Sequence, residues 1–219
     1  HGGAAWAIAI SGGDGQAGTV GTAVATPPSV FVGDQFNNPV AGEVVTFAVA
    51  SGDGSVTDAT QTTNAAGIAT LGSWTLGTAA GPNTLTAASG TLAGSPLTFT
   101  ATGTAGPATA IAIHAGHGQT AMVGTEVAGP PAVIVRDQFS NPVAGVAVTF
   151  AVATGGGTVD PATPVLTDAN GIAAATSWTL GNTAGANAHT TTAVGLAGRP
   201  VTFSATGTTG TASSIALQT

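Results

Sequence analysis

Residues 13–18 have the sequence Gly-Asp-Gly-Gln-Ala-Gly, which matches the G-x-G-x-x-G pattern that can bind a dinucleotide pyrophosphate. That chemistry requires a helix directly after the glycines, because the helix N-terminus binds the phosphates. Residues 19–22 are instead Thr-Val-Gly-Thr, and Pro27 and Pro28 follow, so no helix is expected to open there. A second copy, at residues 116–121, is also followed by no helical pattern. We therefore predict a turn and not a nucleotide site.

The histidines are the next candidates for chemistry. His114 and His117 are three residues apart, but zinc needs three or four converging ligands, and Asp14 stands at the position of His117 in the earlier copy. His1 could bind copper through its amine and imidazole only with a further histidine, and His189 alone remains. We predict no metal site and no cofactor.

Six acidic residues lie in segments rich in Gly and Asn that are typical of turns: Asp34, Asp53, Asp58, Asp137, Asp160 and Asp168. Calcium needs several oxygen ligands at close spacing. The runs 51–55 and 167–171 do not have the spacing of an EF-hand loop. We predict that these carboxylates cap turns, with calcium binding as the alternative.

Composition excludes several functions. The chain has no Cys, no G-x-S-x-G and no carboxylate pair near a His, so no enzyme is predicted. Two Arg against nine Asp and Glu give a net charge of −7, which disfavours nucleic acid. No apolar run of about 18 residues is present, so no membrane span is expected. Because 43% of the residues are hydrophobic, the chain can bury a core.

The chain repeats itself with a long period. Two segments return 103 and 104 residues later respectively: 34–42 as 137–145, and 73–77 as 177–181. A period of this length is typical of whole domains in tandem and not of solenoid repeats. We predict one domain at residues 1–106 and a second at residues 107–212.

The opening segment of each repeat occurs a third time. Residues 7–10 (Ala-Ile-Ala-Ile) return as residues 110–113, and a looser copy follows near the C-terminus: Ser214, Ile215, Ala216 and Leu217. Residues 213–219 are therefore predicted to be either the opening strand of a third repeat or a strand donated to another subunit.

The hydrophobic period is 2. Val45, Phe47 and Val49 alternate with small or polar residues, and short runs of this kind recur between clusters of Gly, Pro, Asn and Asp. This pattern predicts an antiparallel β-sandwich of about seven strands in each domain. In the first domain the strands are expected near residues 5–10, 19–24, 29–33, 43–50, 67–76, 84–88 and 96–102.

The tryptophans differ in their expected roles. Trp74 and Trp178 occupy equivalent positions in the two repeats and are predicted to fill the two cores. Trp6 has no counterpart, because Thr109 stands in its place. We predict that Trp6 is exposed or faces a neighbouring subunit.

Several ordered motifs carry a family resemblance. Asp-Gln-Phe-x-Asn-Pro-Val-Ala-Gly, Val-Thr-Phe and Trp-Thr-Leu-Gly occur in this order in both repeats. The array resembles bacterial immunoglobulin-like domains of the invasin/intimin type. The resemblance implies an all-β chain of two tandem Ig-like antiparallel sandwiches plus the first strand of a third. It also implies a secreted or surface-exposed bacterial protein without catalytic residues.

Two functions follow from the repeats and the resemblance. The first is a structural module of a bacterial fibre or stalk, extracellular or on the cell surface, assembling with other copies head-to-tail by β-strand addition. The second is an adhesin or carbohydrate-binding repeat of a larger surface protein. In that case the expected partner is a glycan or a host-surface ligand, with Trp6 as a contact.

Overall fold

The computed structural model describes residues 3–210 of the 219-residue chain. The predicted strand at Ser214, Ile215, Ala216 and Leu217 lies outside the described residues. The chain divides between Gly106 and Pro107 into two compact units, which we call unit 1 and unit 2. Within residues 3–210, no helix is long and apolar enough to cross a membrane.

In the part of the chain that the structure describes, each unit has ten strands. In unit 1 these are β1 (Ala7–Gly12), β2 (Gln16–Thr19), β3 (Ser29–Gly33), β4 (Val44–Ser51), β5 (Ser55–Thr57), β6 (Thr60–Thr62), β7 (Ile68–Thr70), β8 (Ser73–Thr75), β9 (Gly81–Ala88) and β10 (Leu97–Thr104). In unit 2 they are β11 (Ala110–Ala115), β12 (Gln119–Met122), β13 (Ala132–Arg136), β14 (Ala147–Thr154), β15 (Gly157–Asp160), β16 (Val165–Leu166), β17 (Ile172–Ala174), β18 (Ser177–Leu180), β19 (Gly185–Thr192) and β20 (Val201–Thr208).

The strands of each unit form two main sheets and a short ribbon. In unit 1 the orders are β1-β3-β7, β2-β10-β9-β4-β6 and β5-β8, and unit 2 repeats them as β11-β13-β17, β12-β20-β19-β14-β16 and β15-β18. The named strands pair antiparallel except at β2–β10 and β12–β20, which are parallel. The predicted all-β sandwich class is confirmed.

The number of strands exceeds the seven expected, for local reasons. The predicted strand 67–76 is divided at Gly72, because β7 pairs with β3 whereas β8 pairs with β5. A Cβ on Gly72 would lie 2.5 Å from Asp58 Oδ2, so a larger residue there would need the Asp58 side chain to move. The expected strand at 19–24 begins earlier, at Gln16, and ends at Thr19.

The core of each unit lies between its two main sheets. In β10 the side chains alternate strictly, with Phe99 and Ala101 buried and the intervening threonines exposed. Trp74 and Trp178 are 0% exposed, which confirms their predicted place in the cores. The two cores therefore use the same positions of the repeat.

Unit 2 differs from unit 1 at several buried positions, and the largest chemical change is a histidine. His189 of β19 takes the place that Leu85 of β9 has in unit 1, and both side chains are 0% exposed. The His189 ring stacks on Phe203 at 4.6 Å between centroids and meets Trp178 edge-on at 4.7 Å. Neither ring nitrogen has a hydrogen-bond partner. Burial lowers the pKa of His189 from 6.5 to about 4.

We predict that unit 2 is acid-labile because of His189. The folded unit excludes a proton that the unfolded chain binds below pH 6.5, so the free energy of unfolding falls as pH falls from 6.5 to about 4. The loss is up to about 3 kcal/mol. His189→Leu should abolish this dependence and stabilise unit 2 by about 1–2 kcal/mol at pH 7, since no buried nitrogen is left unpaired. Hydrogen exchange of the full chain at pH 5 and pH 7, resolved by unit, measures both effects.

The matched control is the reciprocal change in unit 1, Leu85→His, which should introduce the same acid sensitivity there. Equal stability of unit 2 at pH 5 and pH 7 in the unmodified protein would contradict this account of the core.

Candidate functional site

The turn after β3 is organised by one carboxylate. Asp34 Oδ1 accepts hydrogen bonds from the backbone N–H of Phe36 and of Asn38, each at 2.9 Å. Its Oδ2 accepts from Gly3 N at 2.9 Å and from Asn38 Nδ2 at 3.1 Å. The side chain is 5% exposed. Asp34 thus fixes both the turn and the segment that leads into β1.

The same hydrogen bonds keep this carboxylate ionised. Donation from Gly3 N–H, and then from the side chain and backbone of Asn38, lowers the pKa of Asp34 to about 2. In unit 2, Asp137 Oδ1 accepts from Phe139 N and Asn141 N at 2.8 and 2.9 Å. The turn-capping role that the sequence predicts for these two aspartates is what the geometry shows.

A cleft of about 450 Å³ lies beside this turn in unit 1. We call it the Trp6–Phe36 cleft, after its two aromatic rings, which are 61% and 75% exposed. Its lining is Gly3, Ala4, Ala5, Trp6, Asp34, Gln35, Phe36 and Asn38. Trp6 is exposed in the single chain, which agrees with both predicted alternatives, an exposed side chain and one that faces a neighbouring subunit. Phe36 was missed, although an aromatic ring inside a polar Asp-Gln-Phe-Asn-Asn-Pro turn is itself a signal of exposure.

The equivalent turn of unit 2 has different side chains around it. Thr109 replaces Trp6, and Phe139 is only 40% exposed. Arg136 stands at the position of Gly33, and its Nη1 donates a hydrogen bond to the Ser140 carbonyl at 2.7 Å. Unit 2 therefore places a guanidinium of its own against this turn.

The glycine-rich segment forms a turn that binds β1 and β2 to the rest of unit 1. Gly13 has φ +82°, and a Cβ there would lie 2.7 Å from Pro28 Cα. Asp14 Oδ1 accepts from Thr100 N at 2.7 Å and from Thr100 Oγ1 at 3.0 Å. A strand, β2, follows the glycines, and no helix N-terminus is available for a pyrophosphate.

Two of the residues considered for metal binding have hydrogen-bond partners of their own. His117 Nδ1 accepts from Ser204 N at 3.4 Å, and Asp168 Oδ1 accepts from Asn170 N and Ile172 N. Between residues 3 and 210, no three His, Asp or Glu side chains converge in a metal-binding arrangement. His1 lies outside the described residues. The Trp6–Phe36 cleft is thus the candidate site that remains.

No family pattern and no curated protein matches this sequence. Among solved structures, InvD of Yersinia pseudotuberculosis is similar over 93% of this chain and 57% of its own, at 18% identity and a TM-score of 0.55. FdeC, an Escherichia coli adhesin, is similar over 91% of this chain and 63% of its own, at 17% identity and a TM-score of 0.51. The chain thus spans less than two thirds of either protein. The D0–D1 domain of intimin matches at 21% identity, 92% and 95% coverage and a TM-score of 0.37.

The likeness to InvD and FdeC concerns the fold. Two sandwiches, each with a three-stranded and a five-stranded sheet, correspond to the bacterial immunoglobulin-like fold of the invasin/intimin type. The resemblance that the sequence motifs indicated is therefore confirmed at the level of fold.

We predict that Asp34→Ala loosens the turn and lowers the thermal stability of unit 1. Because the pKa of Asp34 is lowered, its contribution is complete above pH 4 and is lost as pH falls towards about 2. The stability difference between the unmodified protein and the variant should therefore shrink over that range in thermal melts. A difference that stays constant from pH 5 to pH 2 would contradict the assigned role.

Proposed function

We propose that this chain is a structural, non-enzymatic repeat module of a secreted or surface-attached bacterial fibre or stalk. Support comes from the repetition of one sandwich with the same core positions and the same turns. The likeness to InvD and to the adhesin FdeC favours a bacterial surface or extracellular location. The strongest support is the way in which an early strand and the last strand of each unit pair with each other.

Each unit joins its beginning to its end by parallel pairing. In unit 1, β2 pairs with β10 from Gln16↔Ala101 to Thr19↔Thr104, and in unit 2, β12 pairs with β20 in the same way. We call each of these pairings the terminal ladder. Tension applied at the two ends of a unit pulls the two strands in opposite directions along their axes. The hydrogen bonds are then loaded together in shear and do not open one after another.

Further hydrogen bonds lengthen the terminal ladder of unit 1. Gly15 N donates to the Thr100 carbonyl at 3.0 Å, and Val20 N donates to the Thr104 carbonyl at 2.9 Å. Asp14 adds its two bonds to Thr100 at one end, and its pKa is lowered, chiefly by the Thr100 backbone N–H. These contacts resist the separation that tension would produce, as a stalk requires.

We predict that Asp14→Ala lowers the force at which unit 1 unfolds in single-molecule pulling of the full chain from its ends. The variant removes a charged acceptor from the terminal ladder, which costs about 1 kcal/mol or somewhat more. Unit 2 should unfold at an unchanged force in the same traces.

The control is Asn64→Ala, which removes two hydrogen bonds, to Ala66 N and Ile68 N, from a turn outside the terminal ladder. It should lower thermal stability by a similar amount and leave the unfolding force unchanged. If the two variants lowered the unfolding force of unit 1 equally, the proposal that the terminal ladder is loaded in shear would be wrong.

Strand addition between units is a finer proposal. In both units the opening strand already fills its place: β1 pairs with β3, and β11 pairs with β13. A third copy of the opening segment would therefore need a β3-type partner elsewhere. We infer that Ser214, Ile215, Ala216 and Leu217 pair with another domain, either the next one of a longer chain or that of a second copy.

Deletion of residues 213–219 tests the intermolecular form. If strands are donated between copies, the intact chain forms concentration-dependent assemblies in sedimentation velocity and the deleted chain stays monomeric. Identical sedimentation of the two proteins across the concentration range would overturn donation between copies.

A ligand-binding or adhesive repeat is the second candidate function. One observation favours it: the Trp6–Phe36 cleft exposes two large rings, whereas unit 2 keeps only the less exposed Phe139 ring. Leaving such rings in water forgoes about 1.5–3 kcal/mol for each side chain that could be buried. The fold of the repeat does not require Trp6, because Thr109 serves at the same position.

A further inference from the structure

The charged side chains of unit 1, which contains the Trp6–Phe36 cleft, are acidic. Residues 1–106 contain five acidic side chains and no Lys or Arg. One of the five, Asp34, lines the cleft and is held ionised by its hydrogen bonds. We therefore expect a negative field in the cleft.

The two rings add to this preference. The face of an aromatic ring carries partial negative charge and attracts ammonium and guanidinium groups. Tryptophan is the strongest of the natural side chains in this respect, and Trp6 and Phe36 line the same cleft. The two rings and the Asp34 carboxylate thus both favour a positively charged ligand.

In unit 2 the equivalent turn lacks the counterpart of the Trp6 ring and has an arginine beside it. Its equivalent of Trp6 is Thr109, and its equivalent of Gly33 is Arg136, which donates to the Ser140 carbonyl. Unit 2 supplies a cation from within its own chain. Unit 1 has no side chain at Gly33 to do so.

We propose that the Trp6–Phe36 cleft is a binding site for the cationic group of an organic ligand, an ammonium or a guanidinium. The rings contact the cation, and the Asp34 carboxylate supplies the opposite charge while its oxygens remain bonded within the turn. A volume of about 450 Å³ suits a small headgroup or one side chain. This site rests on the second proposed function, the binding role, and not on the stalk role.

Other ligands fit the cleft less well. Anionic sugars and phosphates would meet a carboxylate and no Lys or Arg of unit 1. A neutral sugar could stack on the rings but would gain nothing from the negative field. Charge is therefore the property that separates the proposed ligand from its competitors.

The test uses the full chain and the fluorescence of Trp6. Since Trp74 and Trp178 are 0% exposed, quenching by acrylamide reports mainly on Trp6. Choline and N-acetyl-arginine amide are the two cationic probes, and they separate an ammonium source from a guanidinium source. The control probes are 3,3-dimethyl-1-butanol, an uncharged isostere of choline, and the neutral sugar N-acetyllactosamine.

At least one cationic probe should protect Trp6 from quenching, and the isostere should bind about tenfold more weakly or worse. Added salt should weaken the binding, because part of the attraction is long-range. Trp6→Thr, which installs the residue of unit 2, and Phe36→Ala should each abolish the shift that the cation produces in amide NMR spectra.

A gain-of-cation variant gives a second, independent check. Phe31→Ile with Gly33→Arg installs the residues of unit 2 at both positions and makes room for the new side chain, since a Cβ on Gly33 would lie 2.9 Å from the Phe31 ring. The new guanidinium would add a positive charge beside the cleft and should weaken choline binding at least fivefold.

Four results would overturn the proposal. Equal binding of the isostere would mean an apolar cleft, and binding of the sugar alone would mean a glycan site, with the binding role retained. Protection of Trp6 that rises with protein concentration, without any probe, would mean that a second copy fills the cleft. Binding of no probe would remove the cation site and would leave the stalk role untouched.

Discussion

The terminal ladder is the constraint on which each unit depends. A sandwich buries its core only if both main sheets stay complete, and β2 is an edge strand of the larger sheet, held by β10 alone. The parallel pairing ties the first part of a unit to its last strand across some eighty residues of sequence. Asp14, Gly15 and Val20 extend that tie at both ends. The sandwich closes, and its two ends become mechanically connected, through the same set of hydrogen bonds.

Most of the fold could be predicted from the sequence, because alternation of period 2 and the repeat of 103–104 residues are strong signals. Trp74 and Trp178 were placed correctly in the cores for this reason. The division of the predicted strand 67–76 could not be seen, since the chain changes sheets at Gly72 without any break in hydrophobic pattern. Edge strands as short as β5 and β6 carry too few residues to show a period.

The candidate site was only half visible beforehand. Trp6 stood out because the repeat offers Thr109 in its place, and an internal repeat acts as its own comparison. Phe36 and Phe139 are the same residue at the same position of the two repeats. Their different exposure, 75% and 40%, therefore comes from the tertiary structure around them. His189 likewise appeared as a spare polar residue, whereas it lies among Trp178, Phe150 and Phe203 in the core of unit 2. Two copies of one architecture have thus diverged in their cores, most strongly at His189, and at a surface cleft.

Native-state amide exchange of the full chain tests the central role of the terminal ladder most directly. If the ladder closes the unit, the amides of Gly15 and Val20, which donate to β10, exchange only through global unfolding of unit 1. Their opening free energies then equal that of Phe47 N, which donates to the Ala59 carbonyl within the same unit. Exchange of Gly15 and Val20 through a local opening of much lower free energy would contradict the account.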